Sequence, residues 1–461
     1  MNSPEHQRRP TRARQGRSAE ARQGRPVRSR PANRQPGPRT AAPAVAAVRI
    51  QQVAQLLPDL LSWQQPADMV LSRWFRAHPE AGTRDRGEIA EAAYDILRHL
   101  RRYRQWAQSG QGPEERRLAI LGLAATQARA QLEAGLQPSE GNWLDHLQMM
   151  DPACLPRAVR YSVPDWLDAR LAELPDALSL LAALHQPAAL DVRANPLKTT
   201  RDKLLEAWLN GPEARWSPAP TPYSPWGIRL QGRPPLQRWK SFEQGEVEVQ
   251  DEGSQLLALL VAPRRGEMII DFCAGAGGKT LLLGALMRST GRLYAFDVSA
   301  ARLARAKPRF ARSGLSNITP VVISDARDQR VRRLHGKAHR VLVDAPCSGL
   351  GTLRRNPDLK WRQSPQTLLA LQDTQAMLLR EAARCLRPGG RLVYATCSIL
   401  PEENEDQIAA FLASVPGFSL VDAADVLASQ KVDVPMKDAF LHLRPDWHGT
   451  DGFFAAVLQK A

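Results

Sequence analysis

At 461 residues the chain is longer than one hydrophobic core ordinarily serves, so two or three domains are expected. Its 43% hydrophobic and 24% charged residues suit a soluble enzyme, and no apolar run approaches the ~18 residues of a membrane span, which excludes a membrane helix and a membrane partner. The net charge of +16 points to a polyanion; an Arg-rich start with no apolar core behind it argues against a secretory signal, so a cytoplasmic protein is expected, and a monomer is the expected oligomeric state.

Residues 1–45 hold eleven arginines against Glu5 and Glu20, in a stretch rich in Pro, Gly, Gln and Ser. Such a segment cannot bury a core and is expected to be a disordered basic tail, either a solvated extension or a non-specific RNA-binding arm. Residues 46–185 carry apolar side chains at three- and four-residue spacing, as in IQQVAQLLPDLL and IAEAAYDILRHLRRYRQW, and are expected to form an all-α domain. Residues 186–246 are mixed, with LDVRANPLK reading as a strand into a turn. From residue 247 to 461 apolar runs alternate with helices: EMIIDFC, RLYAFD, ITPVVI, RVLVD and RLVYATC read as buried strands. Helices are expected over 279–288, 299–312, 365–386 and 402–414. That alternation predicts a Rossmann-like, doubly wound α/β sheet, with GFFAAVLQK as a late antiparallel strand at its edge.

Ligands of such sheets lie beyond the carboxyl ends of the strands, where this chain places its unusual residues. The first strand runs into Cys273-Ala274-Gly275-Ala276-Gly277-Gly278-Lys279, and Asp297 ends the next strand twenty residues beyond Gly277. A glycine turn before a helix, with an acid at that spacing, marks a nucleotide-like cofactor. A phosphate-binding P-loop is the weaker reading, because Cys273 stands where that loop needs glycine; a nicotinamide enzyme would leave the cysteines idle. Asp325 and Asp344 continue the acids at strand ends, an array suited to ribose hydroxyls and a sulfonium cation.

Five cysteines form no CxxC pair, and no histidines stand at ligand spacing, so no metal site and no disulfide framework is expected. Cys154 and Cys385 read as packed hydrophobes. Cys347 and Cys397 instead follow the fourth and fifth strands, side by side at the cofactor edge and placed for reactivity. Cys397 is expected to precede a helix begun by Pro401, with Glu402, Glu403 and Glu405 at its positive end. Two thiols, a carboxylate at Asp344 and a cofactor loop suit covalent activation of a pyrimidine, in which a thiolate adds to carbon 6 and carbon 5 becomes nucleophilic.

The segments RANPLK, VQDEGSQ, DFCAGAGGKT, DVSAARL, DAPCSGLGTLRRNPDLKW, YATCSILPEENE and TDGFF resemble the Sun-type (Fmu-like) RNA cytosine-carbon-5 methyltransferases over residues 187–461. The resemblance implies S-adenosylmethionine bound by residues 273–279, Asp297, Asp325 and Asp344. It implies Cys397 as nucleophile and Cys347 as the thiol that aids release. Gly275-Ala276 stands where the family usually has Ala-Pro, and Ser324 where glycine is common. Residues 83–103 resemble the NusB-like RNA-binding domain of RsmB-type bacterial 16S ribosomal RNA methyltransferases, which implies ribosomal RNA as the partner. Arg354, Arg355, Lys360, Trp361 and Arg362 combine charge with a stacking surface, and Arg193, Asn195 and Lys198 are similar RNA-contact candidates. Transfer RNA, a non-catalytic ribosome-assembly role, and a DNA enzyme with Cys347 as nucleophile are the competing readings.

Overall fold

The computed structural model describes residues 45–461, so the predicted basic tail lies, apart from Val45, outside the described residues. Helices come first: α1 (Val45–Leu60), α2 (Ala67–Ala77), α3 (Thr83–Ala107), α4 (Glu114–Thr126), α5 (Arg129–Glu133), α6 (Pro138–Gln148), α7 (Arg157–Arg160), α8 (Asp165–Ala172) and α9 (Ala177–Leu184). Their apolar stripes fill two separate cores. Ile50, Leu57, Ile96, Leu118 and Leu144 pack together within α1–α6. Leu167, Leu171, Leu180 and Leu181 pack instead with Leu350, Leu353, Leu368 and Leu400, far along the chain.

The 25-residue α3 leaves helical geometry at His99 (φ −112°, ψ 17°). Around that break, backbone groups take partners from other segments. Arg98 O accepts from Lys360 Nζ at 2.7 Å and Leu97 O from Trp361 Nε1 at 3.0 Å, while Arg102 N donates to Ser162 Oγ at 3.0 Å. A buried backbone group left unpaired costs about 1–3 kcal/mol, so these are structural contacts. They correct the expectation that Lys360 and Trp361 face RNA: Lys360 is 2% exposed, and Trp361 stacks on Trp63 against the helical core. We expect Trp361→Ala to lower unfolding stability by about 3 kcal/mol, read by urea titration; a loss below about 1 kcal/mol would return the ring to the surface.

The mixed segment forms β1 (Leu190–Ala194), α10 (Arg201–Leu209), β2 (Ala219–Pro220), β3 (Gly227–Leu230), α11 (Lys240–Glu243) and β4 (Val247–Val249). Its antiparallel sheet has the order β2-β3-β1-β4. Here too the RNA candidates are corrected. Arg193 is 2% exposed, bonds Gln250, and donates to Gly278 O at 3.0 Å. Asn195 is buried and donates to Gly245 O and Ser313 O. Lys198 is exposed, but its ammonium donates to Gln244 O and Arg312 O, both at 2.6 Å.

The remaining elements are α12 (Glu252–Leu260), β5 (Met268–Asp271), α13 (Gly278–Leu286), β6 (Arg292–Asp297), α14 (Ala300–Ser313), β7 (Ile318–Val322), α15 (Gln329–Arg332), β8 (Ala338–Asp344), α16 (Leu359–Arg362) and α17 (Pro365–Cys385). After them come β9 (Leu386–Thr396), α18 (Glu405–Ser414), β10 (Phe418–Val421), α19 (Ala423–Ala428), β11 (Leu441–Leu443), α20 (Pro445–His448) and β12 (Phe453–Lys460). The sheet order is β10-β12-β9-β8-β5-β6-β7, with β11 also paired to β12. Strands β5 to β9 are parallel, and β12 is antiparallel to β9. The fold is Rossmann-like, as the alternating runs predicted. Its winding reverses between β5 and β8, which opens a crevice at their carboxyl ends.

Three expectations are corrected. Strand β12 is not the edge, because β10 pairs outside it; FSLV is too short and too polar on one face to read as a strand. The helix after Cys397 begins at Glu405, since Asn404 (φ −116°, ψ −99°) separates it from a 3-10 turn over Pro401–Glu403. Cys154 is exposed, whereas Cys385 is buried as expected.

Candidate active site

The loop between β5 and α13 needs glycine at Gly277, where φ is +82° and a Cβ would lie 2.5 Å from the Phe310 ring. Asp297 anchors this loop: one oxygen accepts from Gly275 N at 2.8 Å and the other from Ser299 N at 2.7 Å. A carboxylate offers about four acceptor positions, so room remains for a ligand hydroxyl. Beneath the loop Thr280 Oγ1 donates to Asp271 at 2.6 Å. Burial pushes the Asp271 carboxyl up to about 7, and its second oxygen has no partner among the described residues. This acid ends β5, yet alternation alone made it one more strand residue.

A cleft of about 390 Å³ opens beside the loop. Cys273, Ala274, Gly275, Ala276, Gly278 and Lys279 form one wall, and Asp344, Gln250, Asp251, Arg355 and Asp451 form another. Its size suits a small-molecule ligand. Of the acids at successive strand ends, Asp344 lines it. Asp297 is not among the lining residues and holds the loop through Gly275 N. Asp325 stands exposed outside the lining, its Oδ1 accepting from Arg327 N at 2.6 Å.

Lys279 and Asp344 form an ion pair at 2.7 Å. Burial alone would depress the ammonium, but the Asp344 carboxylate more than offsets it and holds Lys279 above the usual lysine range. This pairing and the bond of Thr280 to Asp271 remove the P-loop reading, which needs both side chains free for phosphate and metal.

Strands β8 and β9 are neighbours, so the loops after them bring Cys347 Sγ and Cys397 Sγ to 3.4 Å. Cys397 N also donates to Cys347 Sγ at 3.3 Å. The contact with Cys397, then burial, then the Glu403 charge raise the Cys347 thiol well above the usual range. Glu403 is fully buried and accepts from Ser348 N at 2.8 Å, Ser348 Oγ at 2.5 Å and Gln375 Nε2 at 3.0 Å. It ties the two cysteine loops together, a task that placing it at a helix end had hidden. Its signal was the acidic run directly after Cys397. Gly351 N donates to Cys397 O at 2.9 Å and accepts, through its own carbonyl, from Gly452 N at 2.8 Å. A Cβ on Gly351 would lie 2.2 Å from Gly452 O, so only glycine allows these loops to stack.

The basic segment after Cys347 is corrected as an RNA face. Arg355 pairs with Asp251 at 2.9 Å and with Asp451, and Arg354 donates to Gly449 O and Thr450 O. Arg362 pairs with Asp358 at 3.5 Å. Among the described residues, no group of His, Cys, Asp and Glu could hold a metal, and no helix is long and apolar enough to cross a membrane.

Together the sheet, the glycine loop and the crevice beyond β5 and β8 define a Rossmann-like methyltransferase. The family model described as 16S rRNA methyltransferase RsmB/F matches residues 258–459. A probable ribosomal RNA small subunit methyltransferase B of Synechocystis sp. is 31% identical over 442 residues, covering 88% of this chain and 98% of that protein. The chain belongs to the 16S rRNA methyltransferase RsmB/F family. The ribosomal RNA small subunit methyltransferase B of Sodalis glossinidius is 37% identical over 325 residues, covering 69% of this chain and 71% of that one. Among solved structures, a methyltransferase homologue from Pyrococcus horikoshii is 27% identical with a TM-score of 0.57, covering 68% of this chain and 100% of that one.

Proposed function

We propose that the protein methylates carbon 5 of a cytosine in 16S ribosomal RNA, using S-adenosylmethionine and a covalent adduct on Cys397. The observation that carries this reading is the pair of thiols 3.4 Å apart on the loops after β8 and β9, with the Lys279–Asp344 ion pair at the end of β8. The glycine loop, Asp297 and Asp344 fit S-adenosylmethionine, which when bound supplies an electrophilic methyl group on a sulfonium. The chain's residues prepare the base. The Cys397 thiolate forms a bond to carbon 6, and the electron pair displaced moves toward carbon 5 and the N3 edge. Asp344, whose side chain is partly open to solvent, takes up a proton, passes it to N3 as charge builds there, and recovers it when the ring becomes aromatic again. Once carbon 5 carries the methyl group, its proton passes to water, the electron pair left on carbon 5 forms the C5–C6 double bond, the S–C6 bond breaks, and Cys397 leaves as thiolate. Cys347, whose Sγ lies 3.4 Å from Cys397 Sγ, aids this step by donating an S–H hydrogen bond to the departing sulfur while keeping its proton.

The resemblance of the segments that contain Cys347 and Cys397 to the RNA cytosine-carbon-5 methyltransferases supports giving Cys347 release and Cys397 attack, against the DNA-enzyme assignment. Bisulfite sequencing of total RNA with and without the gene tests the reading: one 16S cytosine should lose protection, and a site in transfer RNA alone would overturn the substrate. Asp297→Ala should weaken S-adenosylmethionine binding ten- to a hundredfold by calorimetry, since a charged hydrogen bond is worth ~1.5–3 kcal/mol. Unchanged affinity would remove Asp297 from the cofactor site.

A further inference from the structure

Away from the cysteines, a cleft of about 490 Å³ opens between α3 and the α7–α9 layer, with Arg98, Arg102, Arg160, His99, His185 and Asp95 in its walls. None of the three guanidinium groups forms an ion pair among the described residues. Asp95, the one carboxylate, is committed: it accepts from Tyr103 Oη at 2.6 Å, and His99 Nε2 lies 3.6 Å from its other oxygen. Arg98 is 7% exposed and donates through one terminal nitrogen to Arg354 O at 2.8 Å. Its Nε is nevertheless buried with no partner among the described residues, and so is Arg102 Nε.

Guanidinium N–H groups only donate, and a buried donor without an acceptor costs about 1–3 kcal/mol. Three guanidinium groups around one cleft, with no carboxylate paired to any of them among the described residues, call for an anionic acceptor from outside the chain. Arg102 lies over the Trp106 ring at 5.0 Å and Arg160 over the Tyr161 ring at 5.2 Å. Stacking of this kind fixes the guanidinium plane and leaves its edge for a planar pair of oxygens. His185 donates Nδ1–H to Leu181 O, and burial keeps the ring neutral, so it adds no competing charge.

We propose that this cleft is a phosphate subsite that seats one backbone phosphate of the RNA, an inference that rests on the RNA-methylating reading above. Its position ties binding to the reaction centre: Arg98 holds the carbonyl of Arg354, and its own carbonyl takes Lys360, both on the segment that follows Cys347.

The test is the double variant Arg102→Gln/Arg160→Gln in the full chain. RNA affinity should fall about tenfold, and the slope of log affinity against log salt should become shallower by roughly one, as for one lost phosphate contact. Turnover at saturating RNA should not change. Inorganic phosphate, at ionic strength matched with chloride, should raise the melting temperature of the wild type and not of the variant. If phosphate protects the wild type while RNA affinity is the same in both, the cleft takes a free anion and the RNA assignment falls. If neither measurement separates the two proteins, the subsite falls. A wild type that binds RNA through these arginines but methylates none would sink the preceding reading and leave the subsite standing.

Discussion

Cys397→Ala should abolish methyl transfer and leave no covalent protein–RNA adduct, whereas Cys347→Ala should accumulate a denaturant-stable one. Without the Cys397 sulfur nothing adds to carbon 6, and carbon 5 of an unactivated cytosine does not attack a methyl donor at a useful rate. Without Cys347 the attack still proceeds, but the departing thiolate loses the neighbour that lies 3.4 Å away. The two phenotypes differ because the surroundings differ. Cys347 Sγ accepts from the backbone amide of Cys397 and lies against Cys397 Sγ, which places it to hydrogen-bond the departing sulfur. Denaturing gels with radiolabelled RNA decide the matter. An adduct in the Cys397 variant and none in the Cys347 variant would reverse the roles.

Asp344→Asn should lower kcat by about a thousandfold, within the 10²–10⁴ range of a lost general acid. The same change leaves the Lys279 ammonium without its carboxylate, and breaking a buried pair typically costs about 3–5 kcal/mol. Asp344 is partly exposed, which places the stability loss at the lower end of that range. Lys279→Met should reduce kcat comparably, and the double variant should be no slower than either single one, because the pair acts as a unit. It should also recover much of the lost stability, since no unpaired charge remains. Cofactor affinity, read separately by calorimetry, should fall far less than kcat. A kcat within tenfold of the wild type would remove Asp344 from the chemistry and leave it a cofactor contact.

The chain's own order determined the Rossmann-like sheet, the glycine loop, Asp297 at the end of β6, and the two cysteines after β8 and β9. These are local features: buried parallel strands need continuous apolar runs, and a tight turn into a helix needs glycine. Neighbouring parallel strands then bring their following loops together without further instruction. The tertiary structure alone decided which charged residues are free. Arg193, Lys360 and Trp361 have the same chemistry whether they meet RNA or a backbone carbonyl, and the carbonyl that Lys360 meets belongs to Arg98, 262 residues away. Glu403 likewise reads as a helix-end acid until the turn at Asn404 directs it onto Ser348. The split of the helices into two cores has the same origin, because the surface that α8 and α9 cover is built from residues 350–400. Spacing along a chain encodes which face of an element is apolar; which distant segment covers that face is settled only when the cores assemble.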